Sequence, residues 1–158
     1  MKTRDIFITN FSDKAFQEAF RQYFAELDVS VRDWDGLFRE MNAEGTNRAY
    51  VRVTENGDVV GFIFFAPIMM QSWFFEMPMG FIREFWVSQL YRNAGHGSEL
   101  LRLAEEYFLD HDISRTILTT DTAEEFYRRR GYGKASDIRA KNQDDVFVKQ
   151  LGDRKGVR

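Results

Sequence analysis

From Ala15 to Leu27 the apolar positions Ala15, Phe16, Ala19, Phe20, Tyr23, Phe24 and Leu27 follow one another at steps of one or three, so that i and i+4 recur, the spacing that gathers side chains on one helical face. Ser12 and Asp13 stand just ahead with short oxygens suited to capping. A core-facing helix is therefore predicted behind a short alternating strand at residues 4–9. A second helical pattern puts Trp34, Leu37, Phe38 and Met41 on one face and stops near Gly45. At Ala49 the period changes to two: Ala49, Val51 and Val53 alternate with Tyr50, Arg52 and Thr54, which predicts a strand. Asn56-Gly57 predicts a two-residue hairpin turn into VVGFIFFAPIMM, apolar on both faces as an interior strand is. Pro67 cannot donate to a ladder, so it marks a bulge or the strand's end.

A further strand runs through GFIREFWVSQL and leads into LYRNAGHGSELL. Leu100, Leu101, Ala104, Tyr107 and Phe108 continue as an amphipathic helix, and RTILTT reads as a strand. Thr122 and Glu125 have capping-box spacing ahead of AEEFYRRR, with Gly131 placed to end that helix. Two last strands flank KNQDD. This order predicts an α/β (α+β) domain with a mixed central sheet of about six to seven strands flanked by about four helices. The expected organisation is one domain over residues 1–151 and a charged C-terminal tail over 152–158.

Composition narrows the function. Phe supplies 16 of the 158 positions and Pro only 2, which excludes a disordered chain. With no Cys there is no disulfide, thiolate metal site or cysteine nucleophile, and with 2 His no transition-metal site is expected. The net charge of −3 has both signs interspersed, so nothing resembles the basic stripe of a nucleic-acid binder. The start MKTRDIFITNF lacks a signal-peptide core, and no long uncharged stretch suits a membrane span. A soluble cytoplasmic protein is expected, with neither membrane nor nucleic acid as partner.

LYRNAGHGSELL leaves a strand and opens a helix, where unpaired backbone N–H groups and the helix dipole favour an anion. Gly95 and Gly97 let the backbone approach it, and Arg92 adds a charge-assisted contact. The same glycines also suit a plain tight turn. Neither GxxxxGK[ST] nor GxGxxG is present, which disfavours nucleotides bound in those two ways.

The segment REFWVSQLYRNAGHGSELLRLAEE, followed about 30 residues after the loop by AEEFYRRRGY, resembles the GNAT (GCN5-related) N-acetyltransferases. Arg92, Gly95 and Gly97 match that family's [QR]-x-x-G-x-[GA] loop; Phe126, Tyr127, Gly131 and Tyr132 match its later F-Y-x-x-x-G-[FY] signature. The likeness covers residues 80–132 closely and the rest only in its order of elements. It implies a GNAT-like acyl-CoA N-acyltransferase fold with acetyl-CoA as co-substrate; no metal is expected, from the composition. The pyrophosphate is then held by amides of Arg92, Asn93, Ala94, Gly95, His96, Gly97 and Ser98, and the pantetheine pairs with the strand at Phe85, Trp86 and Val87. Gln89, His96 and Asp121 depart from the family's commoner residues.

Expelling a thiolate calls for a proton donor. A phenol near pKa ~10 protonates a thiolate near ~8.5 at a cost of about 2 kcal/mol, which makes Tyr127 the candidate acid. A lysine-like amine with pKa ~10.4 is neutral in roughly one molecule in 2,500 at pH 7, a penalty of about 4.6 kcal/mol. The resemblance implies a carboxylate near Glu84 that relieves it directly or through water; Glu76 is the fallback, and an exposed Glu84 paired with a cation is the plain alternative. His96 is expected to act through its backbone N–H, and His111 to complement its helix C-terminus. Arg128, Arg129 and Arg130 form either a solvated helix end or a contact to the 3′-phosphate of CoA. Asp28, Asp33 and Asp35 are caps or attract a cation. The residues around Met69 to Phe75 line either an acceptor pocket or a homodimer surface. The function expected is an acetyl-CoA-dependent N-acetyltransferase acting on a primary amine of a small molecule or peptide by direct attack in a ternary complex; the alternative is a non-catalytic acyl-CoA-binding module.

Overall fold

Strand β1 (Thr3–Ile8) leads into helix α1 (Lys14–Glu26). The Asp13 carboxylate accepts from the Phe16 N–H at 3.0 Å, satisfying one of the donors a helix start leaves unpaired. Of the stripe read from the sequence, Phe16, Ala19 and Phe20 are buried and Ala15, Tyr23 and Phe24 are partly buried against the core, whereas Leu27, at the C-cap, is 52% exposed. Helix α2 (Trp34–Glu44) begins on Asp33, which accepts from the Gly36 N–H at 2.9 Å, and ends on Gly45 at φ +81°. That left-handed conformation costs glycine least.

Strand β2 (Arg48–Thr54) returns as β3 (Val59–Gln71), antiparallel. The turn differs from the expected two-residue form. The Gly57 N–H donates to Thr54 O at 2.9 Å, the Thr54 N–H donates to Asp58 O at 2.9 Å, and Gly57 has φ +86°. This is a three-residue loop, a type I turn closed by a left-handed glycine. β3 continues past Pro67 to Gln71, so the proline does not end it. After β4 (Glu76–Val87) come α3 (His96–Asp110), β5 (Arg115–Thr120), the short α4 (Glu124–Arg128), β6 (Gly133–Lys134) and β7 (Asp145–Gln150). Thr122 does not cap α4: Ala123 is the cap residue, without a side-chain bond, and its N–H donates to Thr120 Oγ1 at 3.0 Å.

The sheet is mixed and seven-stranded, ordered β1-β2-β3-β4-β5-β7-β6. β4 and β5 are parallel at Gly80↔Thr116 and Phe81↔Ile117, while β1–β2, β2–β3, β5–β7 and β6–β7 are antiparallel. This is the architecture expected from the element order, with its four helices. The computed structural model describes residues 1–152; beyond Gly152, the tail assigned to 152–158 lies outside the described residues.

The chain divides into two compact units, residues 1–66 with 84–104, and residues 67–83 with those from 105 onward. In the first, Phe16 meets Phe11, Phe20, Phe38, Phe62 and Phe64 at centroid distances of 4.7 to 6.1 Å, at the centre of an aromatic core that Trp86 joins. In the second, Met79, Ile117 and Val146 are buried under Ile68, Met70, Met77 and Phe81. The β3–β4 turn closes with the Ser72 N–H donating to Phe75 O at 2.8 Å, and carries Trp73 and Phe74 at 97% and 85% exposure. No described helix is long and apolar enough to cross a membrane.

Candidate functional site

β4 alternates its faces, so Glu84 and Trp86 lie on one side. Tyr23 and Glu26 of α1, one turn apart, meet them there. The Tyr23 hydroxyl donates to Glu84 Oε2 at 2.7 Å, and the Trp86 indole N–H donates to Glu26 Oε2. Gly61 of β3 allows the close approach of β3 to β4: a Cβ there would lie 2.5 Å from Trp86 O. The Ser88 N–H then donates to Val60 O at 2.8 Å.

A 3-10 turn at Gln89–Tyr91 delivers the chain to the loop. Arg92, Asn93, Ala94 and Gly95 are exposed. Asn93 and Gly95 take left-handed φ values of 64° and 86°, and a Cβ at Gly95 would meet nothing within 4 Å. Gly95 O accepts from the Glu99 N–H at 3.2 Å, so α3 begins here and the N–H groups of its first turn have no intrahelical acceptor. Gly97 and Ser98 belong to that turn. Exposed residues leading into a helix start are an arrangement that favours an anion.

Arg92 is engaged. Its Nε donates to Val87 O at 2.9 Å and its Nη2 to Glu26 Oε1 at 2.5 Å. Burial pushes the Glu26 carboxyl up, but hydrogen bonds from Trp86, Arg92 and Gln89, with the Arg92 charge, outweigh it and hold it below the usual carboxylate range. His96 sits beside a second cation. Arg52, buried, donates to both Asp5 oxygens at 2.8 and 3.0 Å, pairs with Glu99 at 2.9 Å and lies 3.1 Å from His96 Nδ1. A guanidinium only donates, so Nδ1 is the accepting side of this contact. Hydrogen bonding to Asp5 raises the Arg52 guanidinium above its ordinary value.

In the other unit Tyr127, on α4, is buried against Phe126 and Tyr132, at centroid distances of 5.2 and 5.6 Å. Burial pushes its phenol well up. The Tyr132 hydroxyl donates to Glu105 Oε2 at 2.8 Å and accepts from Thr116 Oγ1 at 2.9 Å, and Lys149 completes the chain at 3.0 Å from Glu105.

The profile of the Acetyltransferase (GNAT) family matches residues 7–135. The chain belongs to this GNAT family. No curated protein shows significant similarity to it. Among solved structures it is similar to a GNAT-family protein of Desulfovibrio desulfuricans (TM-score 0.73, 10% identity, 96% of this chain and 100% of that one). A GNAT-family acetyltransferase of Staphylococcus aureus Mu50 gives TM-score 0.71 at 14% identity over 96% and 100% of the two chains. The PaiA N-acetyltransferase of Thermoplasma acidophilum, in complex with coenzyme A, gives 0.63 at 13% over 95% and 99%. At these identities they show the GNAT fold.

The structure of this GNAT chain brings Glu84, Trp86, Val87 and Arg92 together with α1 in one unit; Tyr127 lies in the other. Of the two loop glycines, Gly95 and Gly97, only Gly95 is left-handed. Glu76 is exposed at the start of β4. Arg128 and Arg129 pair with Glu124 and Glu125 on their own helix, at 3.4 and 3.0 Å, and Arg130 donates to Phe126 O at 2.8 Å. Asp33 is a cap, and His111 Nδ1 contacts Tyr107 O at 2.8 Å in the last turn of α3. Sequence reasoning did not find Tyr23 or Glu26 as partners of β4, nor Arg52 as the partner of His96. The helical period placed Tyr23 on the core face but carried no sign of what it would meet.

Proposed function

We propose that this GNAT protein is an acetyl-CoA-dependent N-acetyltransferase acting on a primary amine of a small molecule or peptide, by direct attack in a ternary complex. The supporting observation is the open loop of exposed residues, from Arg92 to Gly95, that feeds the start of α3 after a strand carrying Glu84. The co-substrate supplies a thioester already activated toward attack. Amides of residues 92–98 hold its pyrophosphate and the backbone of Phe85, Trp86 and Val87 pairs its pantetheine. Glu84 takes a proton from the acceptor ammonium, directly or through water, and the free amine then bonds to the acyl carbon; as the C–S bond breaks, the second proton lost by the nitrogen passes to the departing thiolate, directly or through water. A backbone N–H near Val87 meets the oxyanion.

Tyr127 offers its hydroxyl to the departing thiolate. Its raised pKa keeps the proton in place throughout the physiological range, and makes full transfer costlier than the ~2 kcal/mol of an unperturbed phenol. Its contribution is then chiefly a hydrogen bond to sulfur as charge develops there.

A thiol-release assay with acetyl-CoA over polyamines, amino acids, aminoglycosides and peptide N-termini tests the reading. Release with at least one amine class, lowered roughly 100-fold or more in Glu84→Gln, is expected. Binding of acetyl-CoA without release from any class would convert the reading to a non-catalytic acyl-CoA-binding module. Tyr127→Phe turning over at the wild-type rate would remove Tyr127 from the mechanism.

A further inference from the structure

Arg92, the motif cation, already has two partners. One is Val87 O, on the strand segment whose backbone is assigned to pantetheine. The other is Glu26, a residue of α1 that no motif marks. Glu26 uses both oxygens: Oε1 accepts from Arg92 Nη2 and Oε2 from the Trp86 indole N–H. Its side chain is 20% exposed, against 45% for Arg92. The carboxylate is thus held in place from the inner side while the cation faces solvent.

A guanidinium has donors but no acceptor, and a phosphate competes with a carboxylate for the same edge. The Trp86 bond anchors Glu26 independently of Arg92. When the cation leaves, the carboxylate keeps the Trp86 and Gln89 donors, which makes its loss less costly.

We propose that Glu26 is an affinity-setting residue of the cofactor site: it holds Arg92 against itself and Val87 O, and the phosphates of the incoming cofactor must take Arg92 from it. This rests on the acetyl-CoA reading of the loop. Glu26 then acts through Arg92, as a positioning residue, and the bond it makes with Trp86 gives the exchange a reporter.

The test is calorimetric titration of coenzyme A into the full-length wild type, Glu26→Gln, Arg92→Ala and the double variant. Gln keeps the shape of Glu and still accepts from Trp86. Glu26→Gln is expected to bind about fivefold tighter, the scale of a partly exposed ion pair, and that gain is expected to vanish in the Arg92→Ala background. In the wild type, the Trp86 indole proton resonance, assigned by its absence in Trp86→Phe, is expected to move as coenzyme A binds, which gives a readout independent of any Glu26 variant. Equal or weaker binding by Glu26→Gln, or an unmoved Trp86 resonance, would overturn the proposal. So would a gain that persists undiminished without Arg92, since that reports only the removal of a negative charge near an anion. If none of the four proteins binds coenzyme A, the acetyl-CoA reading itself fails; binding without the coupling sinks only the role of Glu26.

Discussion

Burial raises the proton affinity of the Tyr127 phenol, and for Tyr132 the Glu105 charge adds to burial. Both phenols therefore titrate higher in the folded chain than their ordinary value near ~10. Above that pH the unfolded chain releases these protons while the folded chain keeps them, so the unfolded state binds fewer and stability falls as pH rises. Chemical denaturation between pH 8 and 11 is expected to show this decline, less steep in Tyr127→Phe and Tyr132→Phe. A flat profile in the wild type would contradict the burial of both hydroxyls. Arg52 illustrates why such side chains escape a sequence reading: its partners Asp5 and His96 lie 47 and 44 positions away, and nothing in the period of β2 announces them. Tyr23 and Glu84, 61 apart, are the same case.

Among the elements, α1 and β4 carry the most. Phe16 is fully buried among five rings, and Phe16→Ala is expected to cost about 3 to 5 kcal/mol in denaturant unfolding. Asp13→Ala, which removes only the cap of the same helix, is expected to cost about 1 kcal/mol. At Gly61 a methyl would press on the backbone at Trp86 rather than on a flexible side chain. Gly61→Ala is therefore expected to cost about 1 to 3 kcal/mol, with a disturbance of the Trp86 indole signal that Phe16→Ala does not share. Helix and strand identities were legible because their periods were clear and long. Short-range detail was less so: Asn56-Gly57 names a hairpin but not its loop length, and the cap expected of Thr122 was replaced by Thr120 bonding to Ala123. In each case several local oxygens or turn types compete, and tertiary packing chooses.

On the scale of the whole molecule, the family and the fold were readable from two short motifs in the right order, and the match over residues 7–135 shows the family they point to. The acceptor was not readable, because no local pattern encodes a pocket assembled from distant segments. The aromatic tip also behaves as a whole-molecule feature. Trp73, Phe74 and Phe75 are 97%, 85% and 78% exposed and contribute little to either core, so replacing all three with Ser is expected to change unfolding free energy by no more than about 0.5 kcal/mol per site. A large loss would mean that the tip is covered in solution.

The claim on which the rest depends is that the loop from Arg92 to Ser98 holds acetyl-CoA. Thermal unfolding of the wild-type protein with and without acetyl-CoA tests it most directly. At one hundred times the dissociation constant the ligand is expected to add about 2.7 kcal/mol to stability, visible as a rise in Tm of several degrees. An unchanged Tm at millimolar acetyl-CoA would contradict the account.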